Sequence, residues 1–554
     1  MWYRDIYDPV AAAQGCVVHL DKNSAPRLLF SGEDLIWAKL PPGTRVVYAK
    51  PPIPGLPDPD FAIRHAVLHP ENMDPLPALL RSGMKVTIAL DDISLPLPMM
   101  KTPDIRQRVL EILLPLLASK GVDDIHIIIA TSYHRRMMVP EMRRAVGRKI
   151  FNAFYPDRYY NFDGDEPDGM VELGRTHLGE PARLCRRAAE SDLLLYVNIN
   201  LVPMDGGHKS VGVGLCDYPT LRAHHTPQAI LASDSYMDPT RSELSHSCTR
   251  IGRLIDQHLK VFHVETALNN RMFNSFTDFI ARNEDTWSKT DWRKARAMKY
   301  ALSKLSYPLK RKIYFSIPAS YELIGCHAGA TEAAHEKILQ YCYDQYCIPV
   351  QGQSDVMITG ITFISPYNVH SIMNPILVQV MALGYFFNFY RHMPIVKKNG
   401  VLILTHPCYD EFDPLFHPSY IEFFNRVLTE TRDSLVIQQK YEEEFAHDPG
   451  YRKMYREGNA YHGVHPFYMW YWGENGRAHI GKVIVVGANN KRVPAILGWD
   501  TADTMEQALA MAESHVGRKP SITLLHFPPI LMTDVLGSPE TIQTTTRETV
   551  GATA

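Results

Sequence analysis

The chain has 554 residues, which is more than one hydrophobic core usually supports, so we expect two or three domains with a cleft between them. Its 58 basic and 60 acidic residues nearly balance, and 45% apolar with 21% charged residues is ordinary for a globular protein. This balance, and the lack of any run of about 18 apolar residues, argue against partners such as nucleic acid or a membrane.

The first residues and the cysteines predict the compartment. Residues 1–9 contain Arg4, Asp5 and Asp8, where a signal peptide needs an apolar run. The eight cysteines are scattered and form no disulfide framework, which is typical of reduced thiols. We therefore predict a cytoplasmic protein.

A strand, a helix and a second strand open the clearest structural unit. Residues 86–90 predict one buried strand and residues 125–130 another. Between them, Thr102 is expected to cap a helix that has Pro103 in its first position and stops at Gly121. This order favours a parallel sheet with a right-handed crossover.

Polar residues follow both strands. Asp91 and Asp92 come after the first strand, and His134 comes shortly after the second. Open parallel sheets bind ligands at the carboxyl edge of their strands, so these residues are site candidates. His134 is either a general base, because imidazole titrates near neutrality, or a loop histidine with satisfied hydrogen bonds.

A third predicted strand, residues 193–198, leads into the glycine-rich stretch Gly206-Gly207-His208-Lys209. Its spacing does not fit a phosphate-binding P-loop, because His208 separates the glycine from the lysine. Glycine does let a backbone approach a ligand closely. Lys209 is then either a solvated cation or an amine that bonds covalently to a cofactor.

Two adjacent histidines, His224 and His225, follow this stretch. A neutral imidazole suits nickel, copper or zinc, but neighbouring residues do not both face one metal in regular structure. Chance clustering is the alternative, since the chain has 24 histidines. A metal hydrolase built on His134 and this pair would lack a motif such as His-Glu-x-x-His.

The second half of the chain again alternates strands and helices. Residues 401–405, 483–486 and 522–525 predict buried strands, and residues 505–516 predict a helix. The whole chain is therefore expected to be α/β, with two α/β domains, mainly parallel sheets and a cofactor and substrate cleft between the domains.

Three segments together resemble the lactate racemase family, whose members use a nickel-pincer nucleotide. Residues 90–96 keep the aspartate, a hydroxyl residue and the proline of the family's first motif, and residues 130–135 resemble Ala-Thr-Gly-x-His-Arg. Residues 206–209 resemble Gly-Gly-x-Lys, and His225 lies at the family spacing from the lysine. The likeness runs in family order over roughly residues 35–530.

This resemblance implies a cofactor, a reaction and a set of site residues. The cofactor is the nickel-pincer nucleotide, pyridinium-3,5-bisthiocarboxylic acid mononucleotide nickel. The reaction is racemisation or epimerisation of a 2-hydroxy acid or related hydroxy compound, by proton abstraction and reversible hydride transfer to the cofactor. The implied residues are Lys209 as the covalent attachment, Asp92, Ser94, Gly206 and Gly207 as cofactor-binding residues, His225 as the nickel ligand, and His134 as the catalytic base.

A change to charged helical segments beyond about residue 273 divides the chain. We predict an N-terminal cofactor-binding α/β domain over residues 1–270, with the family likeness starting near residue 35. A C-terminal α/β domain follows over residues 271–535. Residues 536–554 have too few apolar groups to fold alone and are predicted to form a flexible tail. A homo-oligomer stays open.

The second proton-transfer residue departs from the family pattern. Family members carry a histidine about ten residues before the lysine, where this chain has Asn198 and Asn200. An asparagine does not accept a proton at neutral pH. His208 and His370 are the candidates to replace the missing histidine.

The substrate-binding residues depart as well. The family arginine that binds the substrate carboxylate is replaced by Leu95, and Arg135 or Arg136 are the candidates to compensate. We therefore expect a larger or less acidic hydroxy compound than lactate. The alternatives are a one-base redox enzyme with the same cofactor and a non-catalytic cofactor-binding protein.

Overall fold

Two sheets of mainly parallel strands organise the protein in a computed structural model that describes residues 1–537. The strands of this part of the chain are β1 (Val17–His19), β2 (Arg27–Ser31), β3 (Asp34–Ala38), β4 (Arg45–Val47), β5 (Lys85–Asp91), β6 (Asp124–Ala130), β7 (Tyr159–Asn161), β8 (Met170–Arg175), β9 (Pro181–Cys185), β10 (Leu193–Asn200), β11 (Val261–Leu268), β12 (Leu323–Gly329), β13 (Cys347–Gln351), β14 (Ser354–Gly360), β15 (Val396–Thr405), β16 (Lys482–Val486), β17 (Asp500–Ala502), β18 (Ile522–Leu525) and β19 (Met532–Leu536).

Helices cover both sheets. The longer α-helices are α1 (Pro59–Leu68), α2 (Ile105–Ser119), α3 (Val139–Phe154), α4 (His208–Gly214), α5 (Tyr218–His224), α6 (Glu243–Asp256), α7 (Lys289–Ser303), α8 (Tyr307–Ser316), α9 (Thr331–Tyr346), α10 (Pro449–Glu457), α11 (His465–Tyr471) and α12 (Met505–Val516). Shorter helical segments include Pro375–Gln379, which continues as a π-helix over Val380–Phe386, and Pro418–Glu422, Ser434–Ile437, Glu443–His447, Glu474–His479 and Arg492–Leu497.

The first sheet has the order β12-β11-β10-β5-β6-β7, and only β12 is antiparallel to its neighbour. Strands β5, β6 and β10 confirm the three strands predicted in the first half. Both faces of this sheet are buried, which is usual for parallel strands covered by helices on each side. The carboxyl ends of these three strands meet at one edge, as the sequence predicts.

Helix α2 positions that edge. It begins at Ile105, two residues later than predicted, because the Asp104 carboxylate accepts the backbone N–H of Arg106 and caps the helix. The buried Arg106 guanidinium donates from Nη1 to the carbonyls of Asp91, at 2.8 Å, and Asp92, at 2.7 Å. The end of β5 is thereby fixed to the first turn of the helix.

The second sheet has the order β1-β4-β18-β14-β15-β16-β17, parallel except for the β1–β4 pair. Each sheet takes strands from both sides of residue 270, because β4 pairs with β18 in the second sheet and β12 pairs with β11 in the first. The predicted division at residue 270 therefore does not coincide with the division of strands between the sheets. A large hydrophobic core shared by both halves of the chain lies between them.

Residues 273–317 form a helical cap, made mainly of α7 and α8, over the β2–β3 hairpin. Lys310 Nζ donates to Asp34 at 2.6 Å, Lys299 Nζ donates to the Leu35 carbonyl at 2.7 Å, and Tyr314 stacks on Phe363 with ring centroids 4.2 Å apart. These contacts hold the cap against the hairpin and against the segment after β14.

The C-terminal tail was predicted to begin at residue 536. Leu536 still belongs to β19, which pairs with β13, so that boundary falls too early. Residues 538–554 lie outside the described residues. Among residues 1–537, no helix is both long and apolar enough to cross a membrane. The cysteines are all free, as predicted.

Candidate functional site

A cavity of about 330 Å³ lies in the predicted cleft and is lined by both halves of the chain. Ser94 and His134 reach it from the loops after β5 and β6, and Lys209 and His225 from the segment after β10. The opposite wall comes from the cap, from the segment after β14, and from α11. The cavity therefore brings His134, Lys209 and His225 together, although the chain separates them by up to 91 positions.

His134 is held by the buried carboxylate of Asp92. The His134 Nδ1 lies 2.8 Å from one Asp92 oxygen, and the other oxygen accepts from the Ser94 N–H at 2.9 Å and the Ser94 hydroxyl at 2.5 Å. Burial opposes the charge, but the histidine and these hydrogen bonds prevail and hold the pKa of Asp92 below its usual value.

This pair fixes the chemistry of the imidazole. An ionised carboxylate only accepts hydrogen bonds, so Nδ1 of His134 carries the proton and Nε2 keeps its lone pair. The His134 side chain is 25% exposed and lines the cavity. The arrangement is suited to a general base, with Asp92 and Ser94 supporting it from below.

Lys209 extends from the first turn of α4 into the cavity. Its ammonium donates to the Met204 carbonyl at 3.2 Å and makes no ion pair among the described residues. Asp205, beside it, accepts the backbone N–H groups of Leu201 and Val202, and burial raises the pKa of its carboxyl group although Lys209 opposes the rise. The amine is thus available for a ligand in the cavity.

Backbone conformation and close packing inside the protein, rather than contact with the cavity, require glycine at positions 206 and 207. Both have positive φ, at +80° and +60°. A Cβ at Gly206 would lie 2.4 Å from Asn200 Oδ1 and 2.7 Å from Glu265 Oε2, and one at Gly207 would lie 2.8 Å from the His335 ring. Neither glycine lines the cavity. Their cofactor-binding role stays a prediction.

Only one residue of the histidine pair lines the cavity. His224 is fully buried behind it, and its Nδ1 lies 2.7 Å from the Nδ1 of His225. His225 stacks near Trp472 and Tyr468, with ring centroids 5.9 and 5.0 Å away, and burial lowers its pKa well below the usual value. Its hydrogen bonds among the described residues use Nδ1, so Nε2 of a neutral imidazole remains for a metal.

The asparagines that replace the second family histidine serve the protein interior. Asn198 accepts from His263 Nδ1 at 3.0 Å, and Asn200 donates to Glu265 and to the Thr266 carbonyl. Both are buried and neither lines the cavity. They therefore take no part in proton transfer there.

The two predicted substitutes for that histidine also lie elsewhere. His208 Nε2 is 3.0 Å from Glu332, on the side of α4 that faces α6 and α9. His370 packs on Phe315 and lies 3.8 Å from Glu141. Neither lines the cavity, so the expectation that one of them supplies the second proton-transfer group is wrong for this structure.

His465, at the start of α11, is a further histidine of the cavity that no sequence pattern singles out. It lines the cavity, its ring centroid is 5.3 Å from that of His134 at an interplanar angle of 82°, and Tyr420 OH lies 2.5 Å from its Nδ1. Its Nε2 is buried without a partner among the described residues. Burial lowers the pKa of His465 well below the usual value, so the imidazole is neutral at pH 7.

The carboxylate clamp of the family has no replacement in the cavity. Arg135 is buried and forms a two-pronged ion pair with Glu141, at 2.9 and 2.7 Å. Arg136 donates to the Arg456 carbonyl in a separate groove. Neither arginine lines the cavity, whereas Leu95 does. The expectation that Arg135 or Arg136 compensates for Leu95 is therefore not met.

The chemistry of the donors decides what cofactor fits. Within residues 1–537, no group of three or more histidine, cysteine or acidic side chains could hold a metal ion by itself. A single imidazole, His225, with a nearby free amine, Lys209, suits a metal whose other ligands belong to an organic cofactor tethered to the protein. The residues present thus fit a nickel-pincer nucleotide better than a protein-only metal site.

The structure defines an α/β protein with two mainly parallel sheets and a cavity that both halves of the chain line. Residues 32–237 match the family profile described as the lactate racemase N-terminal domain. Lactate racemase from Lactiplantibacillus plantarum is 28% identical over 167 residues, which are 29% of this chain and 37% of that protein. The chain thus aligns with little more than a third of this curated relative.

Two solved structures are similar in fold. The lactate racemase apoprotein from Thermoanaerobacterium thermosaccharolyticum matches with a TM-score of 0.59 and 16% identity, over 92% of this chain and all of the other. A Thermotoga maritima protein covers 87% of this chain and 99% of its own, at 13% identity and a TM-score of 0.49, from which we infer nothing. The likeness to the lactate racemase family therefore covers residues 32–237 in sequence, and the similarity to the apoprotein structure shows a shared fold.

Proposed function

We propose that the protein is a racemase or epimerase of a hydroxy compound that uses a nickel-pincer nucleotide, held covalently by Lys209 and through nickel by His225. The observation that carries the proposal is that one cavity is lined by the free amine of Lys209, the imidazole of His225 and the carboxylate-supported base His134. The chemistry that the cofactor supplies when bound is reversible acceptance of a hydride from the carbon that carries the hydroxyl group.

His134 takes the hydroxyl proton in this proposal. Its Nε2 lone pair accepts the proton while Asp92, ionised and buried, stabilises the imidazolium that results. The histidine would return the proton to the oxygen, and the cofactor would supply the reversible hydride exchange that lets the alcohol form again with either configuration at the carbon. No net oxidant or reductant is consumed.

His465 completes the pair of proton-transfer groups. If the C–H bond and the larger substituent keep their places, two enantiomers direct their hydroxyl groups along different bonds of the tetrahedral carbon, so each hydroxyl would have its own partner. His134 and His465 stand with ring centroids 5.3 Å apart and nearly perpendicular, which offers two such partners. This favours an isomerase over a one-base redox enzyme.

The test is the intact mass of protein made together with the enzymes that synthesise the cofactor. We expect a nickel-containing adduct on the wild-type protein and none on Lys209→Ala. The exposed Lys304→Ala is the matched control and should carry the adduct. His225→Ala should keep the organic part and lose nickel. An unmodified wild-type chain would refute covalent tethering. An adduct without isomerisation of any hydroxy compound would favour a non-catalytic cofactor-binding protein.

The cytoplasmic location, a small-molecule substrate as partner and an open oligomeric state stay predictions.

A further inference from the structure

The cavity wall opposite His134 is almost entirely apolar. Phe30 and Leu35 reach it from the β2–β3 hairpin, Met298 and Tyr314 from the cap, and Phe363 from the segment after β14. They belong to a hydrophobic cluster that is continuous from the hairpin through the cap. A ligand between His134 and this wall therefore faces mainly apolar side chains, and the polar ones that the cap contributes, Asn274 and Thr277, are uncharged.

Few charged side chains line the cavity as a whole. Lys209 is the sole lysine or arginine that lines the cavity in the described part of the chain, and Asp205 is the sole carboxylate. On the proposed function, the Lys209 amine condenses with a thiocarboxyl group of the cofactor to a thioamide, with loss of water, and so loses its positive charge. A buried substrate carboxylate would then have no lysine or arginine side chain in the cavity to pair with and would stand near Asp205, at a desolvation cost.

We propose that the substrate is a neutral, apolar secondary alcohol, rather than a small 2-hydroxy acid. Its hydroxyl group contacts His134 and His465, and its apolar substituent packs against the hairpin, the cap and Phe363. The proposal rests on the proposed function for the reaction, but the preference it states belongs to the cavity of this chain. Leu95, at the place of the family arginine, fits an uncharged substituent.

The cap gives this wall its depth. Met298 is half-buried on the inner face of α7, whereas Tyr300, two positions along, is 68% exposed. Tyr314 on α8 stacks on Phe363, which keeps the inner surface closed. The apolar side chains of the cap thus face the cavity, and ion pairs between α8 and the hairpin hold the cap in place.

The test compares ligands that differ only by a methyl or a carboxylate group. 2-Octanol and 2-hydroxyoctanoate share a hexyl chain and a hydroxyl, and 2-propanol and lactate form the short pair. Dissociation constants are measured by calorimetry on the purified protein, with and without the cofactor adduct. We expect 2-octanol to bind at least ten-fold more tightly than 2-hydroxyoctanoate, and lactate not to bind measurably.

Chain length gives a second measurement. Each methylene buried in an apolar wall contributes about 0.8 kcal/mol, which is about four-fold in affinity. From 2-butanol to 2-octanol, the gain should therefore be on the order of 200-fold. Tighter binding of either acid than of its matched alcohol, or affinity that does not rise with chain length, would overturn the proposal.

Three variants assign the effect to the cavity. Met298→Glu should weaken 2-octanol binding at least ten-fold, and Tyr300→Glu on the outer face of the same helix should leave it unchanged. Leu95→Arg should reverse the preference in favour of 2-hydroxyoctanoate. Equal effects of the two glutamate variants would place the alcohol outside the cavity and refute the proposal. Because binding is measured with and without the adduct, a missing adduct would refute the proposed function separately.

Discussion

Gly206→Ala tests whether the glycine pair serves packing or a ligand. The new Cβ would lie 2.4 Å from Asn200 Oδ1, 2.7 Å from Glu265 Oε2 and 2.9 Å from His335 Nδ1, all inside normal contact distance. The left-handed conformation, at φ +80°, costs an L-residue about 1–2 kcal/mol. Displacing one partner of the buried Glu265 hydrogen bonds adds about 1–3 kcal/mol. We therefore expect the free energy of unfolding to fall by about 2–5 kcal/mol.

The assay is urea denaturation of the protein without cofactor. Gly212→Ala, in the middle of α4, is the matched control, because its Cβ would meet only ordinary contacts, the nearest being the Cys248 carbonyl at 3.7 Å. That variant should change stability by less than about 1 kcal/mol, since alanine favours a helix. If Gly206→Ala leaves the stability of the cofactor-free protein unchanged but abolishes the adduct, the glycine serves a ligand and the packing argument is wrong.

Two further predictions concern the proton-transfer residues. Asp92→Asn removes the carboxylate that fixes His134, so turnover should fall by about 10²–10⁴. Because the pKa of Asp92 is lowered in the folded protein, it contributes stability above about pH 4 that is lost as the pH falls through its folded-state value. Urea denaturation across acidic pH should show a shallower loss in the variant, and identical curves would contradict the argument. His465→Gln should lower kcat by about 10²–10⁴ with little change in KM. Tyr420→Phe, which removes only the partner of its Nδ1, should have a smaller effect, and equal losses would point to a structural role for His465.

The sequence predicts the central strands because they are continuous apolar runs between turn residues. β5, β6 and β10 are buried on both faces, and such strands are identified by composition alone. The start of α2 is harder to predict, since Asp104 and Thr102 both precede the helix and only the structure shows which side chain accepts a backbone N–H. The assignment of β4 to the second sheet depends on pairing with β18, about 480 positions away, which no local pattern encodes.

The residues of the candidate site also differ in how far the sequence predicts them. His134 and Lys209 lie in short motifs after β6 and β10, and the resemblance to the lactate racemase family is what singles them out together with His225. His465 carries no such signal, because it lies 331 positions after His134 and follows a loop rather than a strand. Its unpartnered Nε2 becomes visible only when α11 packs against the first half of the chain. The position of Arg135 could not be predicted either. It follows His134 in the motif, but its ion pair with Glu141 keeps it out of the cavity, and the sequence does not indicate that pair.

The residues proposed to hold the cofactor and the residues of the apolar wall belong to different elements of the fold. The residues proposed to hold the cofactor come from loops after β5, β6 and β10, and the first sheet fixes their positions through contacts such as Arg106 to the end of β5. The apolar wall comes instead from the hairpin, the cap and the segment after β14, none of which supplies a residue to those motifs. Substitutions in the wall can therefore alter the substrate without disturbing Asp92, Lys209 or His225. A chain can thus keep motifs that resemble those of the lactate racemase N-terminal domain while an apolar side chain, Leu95, lines its cavity.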